Sequence, residues 1–434
     1  MTGPVVDALV AGLAAAGVVI LLFGALKLLA VPLSLLFEVR AAHERARGDW
    51  TLLDATPSVT VVVPGYNEGL VIDSCVASIA QSRYPGLEII LVDDGSTDDT
   101  AARMARLAER HERVRFIGQE NAGKGAALNR GAASATGEVL LFVDADGIFG
   151  PDTVEHILAG FTDAGVGAVC GDDRPVNLNR VQTQLLTVIS HIGTGLVRRA
   201  LTVLWCMPIV SGNIGAFRRD VLEQTGPLDE HTLGEDLELT WRVYRAGYRV
   251  NFTPRALVYA ESPATIAGLW KQRVRWARGL LQTIRTHRAM LGNPRYGVFG
   301  LFLVLNLITM VLIPVLQLVV LTGIPLLLAV DSPLLPHDLL GVIGLLGLVT
   351  AAVLAVYAMG LNRAWGDLRY LWTLPLWPIY SVFVGATMLV ALIQEARGRP
   401  GHWNKLDRTG VVTVREARRL GPGDTRAALT GGRG

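Results

Sequence analysis

The chain has 434 residues, 51% of them hydrophobic, with a formal net charge of +2 and a mean hydropathy of +0.39. That is too apolar for an ordinary cytosolic enzyme, long enough for one large soluble domain plus membrane segments, and lacks the basic excess of a nucleic-acid binder. Its three cysteines, Cys75, Cys170 and Cys206, are isolated, with neither zinc spacing nor a disulfide framework, which fits a reducing compartment for the soluble part.

Residues 5–37 are apolar apart from Asp7 and Lys27, a length that suits a transmembrane helix rather than a cleaved signal peptide. Arg40, Arg45 and Arg47 follow, with few positive charges before. This asymmetry predicts an external N-terminus and a cytoplasmic domain next.

Residues 58–255 alternate strand-like and helix-like segments. Strands are predicted over 58–63, 87–92, 114–118 and 139–144, with helices over 98–111 and 124–135. A βαβα pattern of this kind predicts a mostly parallel sheet with helices on both faces. Three strands end in polar or glycine-rich groups: Pro64-Gly65-Tyr66-Asn67-Glu68, Asp93-Asp94-Gly95-Ser96 and Asp144-Ala145-Asp146. Ligands bind outside the carboxyl ends of strands in open α/β sheets, so the recurrence points to one shared nucleotide cleft.

In extended backbone Asp144 and Asp146 leave the same side of the chain. Two hard oxygen ligands there suit Mg2+ or Mn2+ holding a diphosphate. Carboxylates such as Glu68 and Asp94 can accept from a base N–H or from ribose hydroxyls. Gly123-Lys124-Gly125 places a mobile cation beside exposed backbone, suited to phosphate.

These four stretches, in this order, resemble family 2 glycosyltransferases of the GT-A fold over roughly residues 58–290; the ordered set is specific although each piece alone is not. The resemblance implies a nucleotide-sugar donor, a divalent metal and inversion at the anomeric carbon. The fold expected is an α/β GT-A domain with a mostly parallel sheet, inserted between transmembrane helices. Pro64, Tyr66, Glu68, Asp94, Lys124, Asp144 and Arg275 are then expected at the donor, and Asp144 and Asp146 at the metal. Arg174 and Asn177 are placed near the donor as well.

The second half of the domain is expected to hold the acceptor. Ser211-Gly212-Asn213-Ile214-Gly215-Ala216-Phe217-Arg218-Arg219 is small and polar, then apolar and basic, and resembles the Gly-x-x-x-Ala-Phe-Arg-Arg stretch of the family's membrane synthases. Small residues such as Gly212 let a sugar approach the backbone, and Phe217 is expected to stack on its face. Gly234-Glu235-Asp236 comes next. Inverting transfer needs a base for the acceptor hydroxyl. Adjacent carboxylates point apart on most backbones, so one serves. The family's pattern places that role on the second, Asp236, leaving Glu235 on the acceptor side.

Residues 264–291 carry apolar positions at helical spacing with Lys271, Arg273, Arg275, Arg278, Arg285 and Arg288 between them, a basic amphipathic helix for the cytoplasmic interface. Within it Gln272-Arg273-Val274-Arg275-Trp276 resembles the Gln-x-x-Arg-Trp signature of processive family 2 synthases, which make cellulose, hyaluronan, chitin oligomers and poly-N-acetylglucosamine. The resemblance puts Arg275 against the diphosphate, and Gln272 and Trp276 at the acceptor sugar.

Three apolar stretches follow, over 298–330, 339–361 and 370–393. Three simple crossings would leave the arginine-rich tail outside, whereas its charge reads as cytoplasmic. Either one stretch is re-entrant or the tail breaks the rule. The tail carries Trp403-Asn404-Lys405-Leu406-Asp407-Arg408-Thr409-Gly410, a partial match to the Trp-x-x-x-x-Arg-Gly stretch of poly-N-acetylglucosamine synthases, interrupted by Thr409. No stretch of domain size remains for a cyclic di-GMP-binding module, so such regulation would come from a partner.

The sequence thus divides into an N-terminal membrane helix and linker (1–50), a cytoplasmic transferase domain (51–263), an amphipathic interface region (264–297), C-terminal membrane helices (298–395) and a basic tail (396–434). The function expected is that of a multi-pass bacterial inner-membrane, inverting, processive β-glycosyltransferase that polymerises UDP-N-acetylglucosamine, or next UDP-glucose. Expected partners are the UDP-sugar, a growing glycan or lipid acceptor, membrane lipids and a small membrane subunit, with no nucleic acid. The alternatives are single transfer to a lipid carrier, and a non-catalytic sensor or export channel on a transferase fold.

Overall fold

The computed structural model describes residues 4–47, 56–329, 337–399, 401 and 408–411. The N-terminal apolar stretch forms α1 (Pro4–Ala25) and α2 (Ala30–Arg47). Then come β1 (Val59–Gly65), α3 (Ile72–Ile79), β2 (Leu87–Asp94), α4 (Thr100–Arg110), β3 (Val114–Gln119), α5 (Lys124–Ser134), β4 (Val139–Phe142) and β5 (Ile148–Phe149). The second half adds α6 (Thr153–Leu158), β6 (Val166–Pro175), α7 (Val181–His191), α8 (Arg199–Val203), β7 (Gly215–Arg218), α9 (Arg219–Thr225), α10 (Glu235–Arg245) and β8 (Arg249–Ala260). A long helix α11 (Ile266–Thr286) leads to α12 (Gly297–Leu307), α13 (Ile313–Ala329), α14 (His337–Leu361) and α15 (Trp377–Ala396), the last preceded by a 3-10 helix, Trp365–Leu376.

The strands form one sheet in the order β3-β2-β1-β4-β7-β6-β8-β5. β1 is parallel to β2 and β4, and β2 to β3, as the βαβα pattern predicts. The join to the second half is antiparallel: β7 lies between β4 and β6 and opposes both. β1 is buried along its whole length, because helices cover both faces of the sheet. Its side chains alternate between them: Val61 and Val63 pack with Ile72, Ile79 and Met104, and Val62 with Leu128, Phe217 and Trp241.

Among the described residues, four helical stretches are long and apolar enough to cross a membrane, over 5–43, 294–325, 341–361 and 365–396. The α/β domain grips them by specific contacts. Phe299 of α12 stacks on Tyr244 with ring centroids 3.7 Å apart. Arg199 Nε donates to Glu38 Oε1 of α2 at 2.7 Å, and its Nη1 donates to Asn362 Oδ1, just past α14, at 2.7 Å. The predicted amphipathic helix is α11, capped by Thr265, whose side chain accepts from the Gly268 N–H.

Candidate active site

The three motif loops at the ends of β1, β2 and β4 interlock. Asn67 sits at φ 56° and its Oδ1 accepts from the Thr97 N–H at 2.7 Å, while the Ser96 hydroxyl accepts from the Asn67 N–H at 2.8 Å. The first loop is thereby fixed to the second. Asp94 then grips a third segment: Oδ1 accepts from the Ala122 N–H and Oδ2 from the Gly123 N–H, both at 2.9 Å. Gly123, at φ +95°, makes the turn that few side chains tolerate. Together these contacts aim Lys124 across the strand ends.

Lys124 Nζ lies 2.6 Å from Asp144 Oδ1 and 3.3 Å from Glu235 Oε1. It therefore ties the end of β4 to the start of α10. Burial alone lowers the pKa of this ammonium, but the charges of Asp144, Glu235 and Asp236 outweigh burial and raise it. Lys124 stays protonated.

β4 stops at Phe142, so the acidic pair does not leave an extended strand as expected. A turn, in which the Gly147 N–H donates to the Asp144 carbonyl at 2.9 Å, brings both carboxylates to one cavity. Asp146 is buried and Oδ2 accepts from the Glu261 N–H at 2.9 Å. Burial raises its pKa, and the neighbouring Asp144 adds to that against the opposing charge of Arg408.

Glu235 and Asp236 form the first turn of α10, where the helix dipole favours negative charge. Both line the cavity. Glu235 turns to Lys124, whereas Asp236 accepts from the Gly212 N–H at 3.1 Å and the Leu237 N–H at 2.8 Å. Burial and then Glu235 raise the Asp236 pKa, with Lys124 and the two N–H groups opposing. A raised carboxylate is a better proton acceptor when ionised.

α11 supplies the opposite wall. Its backbone meets the loop before α10 at Gly279 and Gly234: a Cβ built on Gly279 would lie 2.9 Å from the Gly234 nitrogen. Gln282 Oε1 accepts from the Leu233 N–H at 2.9 Å. This approach sets Gln272, Arg275 and Trp276 on the cavity, and the Arg273 guanidinium lies 4.2 Å from the Trp276 ring centroid.

The cavity, about 870 Å³, is lined by Pro64, Tyr66, Glu68, Asp94, Lys124, Asp144, Asp146, Gly212, Glu235, Asp236, Gln272, Arg275 and Trp276, and runs on to Met310 and Tyr380. One predicted acceptor residue is absent. Phe217 lies in the core, 2% exposed, with its ring centroid 5.5 Å from that of Phe142, because β7 is held between β4 and β6. Asn177 is likewise not on the wall; its amide is paired with both the N–H and the carbonyl of Ser262. Arg174 does reach the cavity, held at 2.7 Å by buried Asp172.

Among the residues at the site that were not assigned from sequence are Arg408 and Glu261. Arg408 Nη1 donates to Asp146 Oδ2 at 2.7 Å, and its Nε to Glu68 Oε2 at 3.1 Å. The Glu261 carboxylate accepts from the N–H groups of Thr409 at 2.6 Å and Val411 at 3.0 Å, holding that segment in place. The partial tail motif was the one signal for Arg408; its residues Trp403 to Asp407 lie outside the described residues. Nothing in its own neighbourhood marks Glu261.

Residues 57–279 match the model of the family described as "Glycosyltransferase like family 2". The chain is 31% identical over 228 residues to a poly-beta-1,6-N-acetyl-D-glucosamine synthase of Staphylococcus aureus (strain COL), covering 52% of this chain and 55% of that protein. It is 30% identical over 250 residues to the synthase of the same name from Staphylococcus epidermidis, covering 57% and 58%. The chain thus matches little more than half the length of these relatives. Among solved structures, the mannosyltransferase PcManGT from Pyrobaculum calidifontis, in complex with GDP-Man and Mn2+, aligns with a TM-score of 0.60 and 23% identity over 89% of this chain and 99% of that one. That likeness shows a shared fold. With the family model matching half of the chain and the motif loops meeting in one cavity, the chain belongs to glycosyltransferase family 2 and is a glycosyltransferase of the GT-A fold.

Proposed function

We propose that the chain is a membrane-embedded, inverting β-glycosyltransferase that polymerises a UDP-sugar into a polysaccharide, with UDP-N-acetylglucosamine favoured and UDP-glucose next. The observation that carries this is the single cavity that holds Asp144, Asp146 and Asp236 at one end and Gln272, Arg275 and Trp276 along its wall, then runs to Met310 and Tyr380. A donor end, an acceptor wall and an outlet toward the apolar helices are thus continuous. The names of the staphylococcal relatives support the choice of sugar.

In this reading residues 51–263 are the cytoplasmic transferase unit, 264–297 the interface region, and the flanking segments its membrane part and tail. Asp144 and Asp146 are the residues that would hold Mg2+ or Mn2+. What supports this is that each carboxylate attracts a cationic side chain, Lys124 and Arg408. Among the described residues no cluster of three or more His, Cys, Asp or Glu side chains closes around a metal. The ion, when bound, would supply charge neutralisation for the departing diphosphate.

Tyr66, Glu68 and Asp94 bound the nucleotide end, Asp94 acting by fixing the Lys124 loop. Asp236 takes the proton of the acceptor hydroxyl while its oxygen bonds to C1 and the bond from C1 to the diphosphate breaks. Arg275 faces the diphosphate. Gln272 and Trp276 hold the acceptor sugar, the indole against its apolar face. A cavity open to the membrane helices also suits a lipid-linked acceptor receiving one sugar. UDP release by purified enzyme across a panel of UDP-sugars, with Mn2+ or Mg2+ and with EDTA, tests the reaction. Long products on gel filtration support polymerisation, and short ones throughout leave single transfer.

A further inference from the structure

The helix after β6 reaches the cavity through an irregularity. α7 continues as a π-helix over Ile192–Arg198 before α8. In a π-helix residues five apart stack, whereas in an α-helix they stand on different sides. The wide turn therefore keeps Arg198 on the side that Ser190 and Gly193 present to the cavity, and all three line it. Elsewhere on the same turn Gly195 presses on α14: a Cβ there would lie 2.6 Å from the Ala358 carbonyl oxygen. Gly193 differs. A Cβ built on it meets nothing within 4 Å among the described residues, so the wall is open at that point.

The end of β6 holds Arg198 in place. Its Nη1 donates to Asp173 Oδ1 at 2.9 Å and to the Gly171 carbonyl at 3.2 Å, and its guanidinium lies 5.8 Å from the Phe252 ring centroid. Asp173 is fixed in turn, its carbonyl accepting from the Ser190 hydroxyl at 3.3 Å. The pair keeps bonding capacity for a ligand. Among the described residues Asp173 Oδ2 and Arg198 Nε and Nη2 make no hydrogen bond, and the two side chains stay 33% and 20% exposed. The pair stands on the side where the acceptor is expected. The Gly171 N–H donates to the Ile214 carbonyl at 3.1 Å and the Ser211 N–H to Cys170 Sγ at 3.4 Å, so β6 carries the Ser211–Asn213 loop beside it.

We infer that Asp173, Arg198 and the opening at Gly193 form a sugar subsite for the acceptor, which reads two neighbouring hydroxyls of a pyranose. This rests on the reading of the cavity as that of a glycan-making transferase. The chemistry selects the ligand. A carboxylate and a guanidinium side by side offer an acceptor and a donor. Two vicinal hydroxyls match them, one donating to Asp173 Oδ2 and the other accepting from Arg198. Phosphate fits poorly, because Asp173 offsets the charge of Arg198 and sets a second carboxylate oxygen against the anion. Trp276 lines the same cavity, so an aromatic face and a hydroxyl-reading pair serve the acceptor from two separate elements. Neither Asp173 nor Arg198 lies in a motif of the sequence; a strand end and a π turn bring them together.

The test uses the full chain in nanodiscs and the methyl β-glycosides of N-acetylglucosamine and glucose, beside their 3-deoxy analogues, which have no vicinal hydroxyl pair. Saturation-transfer NMR measures binding without turnover. Wild type should bind at least one parent glycoside, and its 3-deoxy analogue about tenfold more weakly. Asp173→Ala should bind that parent about tenfold more weakly and no longer tell the two apart. Gly193→Leu fills the opening and replaces a helical glycine, so it should fold as wild type does and lose the glycoside. UDP affinity should hold in both variants. Binding of neither parent by wild type, equal binding of parent and analogue, undiminished discrimination in Asp173→Ala, unchanged binding in Gly193→Leu, or a matching loss of UDP affinity overturns the inference. A wild type that binds the glycoside as expected yet releases UDP from no UDP-sugar overturns the proposed function and leaves the subsite standing.

Discussion

Arg408 and Asp146 meet at 2.7 Å, so a cation from the tail occupies the carboxylate that a divalent metal would use. The same guanidinium touches Glu68 at 3.1 Å. With Asp146 as the proposed metal residue, Arg408 and the metal would compete for it, and Arg408→Ala should tighten Mn2+ binding about tenfold, equivalent to about 1.4 kcal/mol. Mn2+ titration followed by electron paramagnetic resonance, without donor, measures it. Unchanged or weaker binding would show that Arg408 does not compete.

As the proposed base, Asp236 must be ionised to accept a proton, and burial with Glu235 raises its pKa. The rate should therefore fall as pH drops through a value above the ordinary carboxylate range. Glu235→Gln removes a raising charge, so that acidic limb should move to lower pH. Asp236→Asn should lose about 10²–10⁴-fold in kcat, the usual share of a positioned base. A pH–rate profile of Glu235→Gln with an unmoved limb would detach the limb from Asp236.

Gly279 has no room for a side chain against the Leu233–Gly234 backbone. Gly279→Ala should cost about 1–3 kcal/mol through overpacking and shift the wall that carries Gln272 and Trp276. Thermal unfolding in detergent reads the first effect and UDP release the second. Full activity at wild-type Tm would mean that the helix yields freely.

Glu238 is buried between His287 Nε2 and Arg242 Nη2, each at 2.9 Å, and joins α10 to α11. Burial raises its pKa, but the His287 hydrogen bond and the Arg242 charge outweigh burial and lower it. Because the folded pKa lies below the unfolded one, this stabilisation is present above the unfolded value. It is lost as pH falls through the folded value. Glu238→Gln should cost about 3 kcal/mol at neutral pH, since a buried charge loses its partner. A Tm difference from wild type that stayed constant from neutral pH down to pH 3 would refute the linkage.

Trp276 is half exposed on the cavity wall, with Arg273 over one face. If its free face carries the acceptor sugar, Trp276→Ala should weaken acceptor use about tenfold and shorten products while donor affinity holds. Gel filtration of products beside a donor titration separates these. An equal loss of donor affinity would move Trp276 to the nucleotide.

The first four strands, α4, α5 and the motif loops at the strand ends were legible in the sequence, because side-chain period and strand-end chemistry are local properties of the chain. Of the predicted donor, acceptor and base positions, Asn177 and Phe217 do not line the cavity, and the second exception is instructive. Phe217 reads as a sugar platform from its neighbours in sequence, yet β7 is inserted between β4 and β6, and that pairing turns the ring into the core. What the chain's pattern determined was which residues stand at strand ends, which are apolar, and which segments suit a membrane. Tertiary structure alone decided that Arg408 meets Asp146, that Glu261 holds the segment after it, and that α15 lies along α11. Each of these depends on contacts between residues far apart in sequence, which a local pattern of side chains does not record.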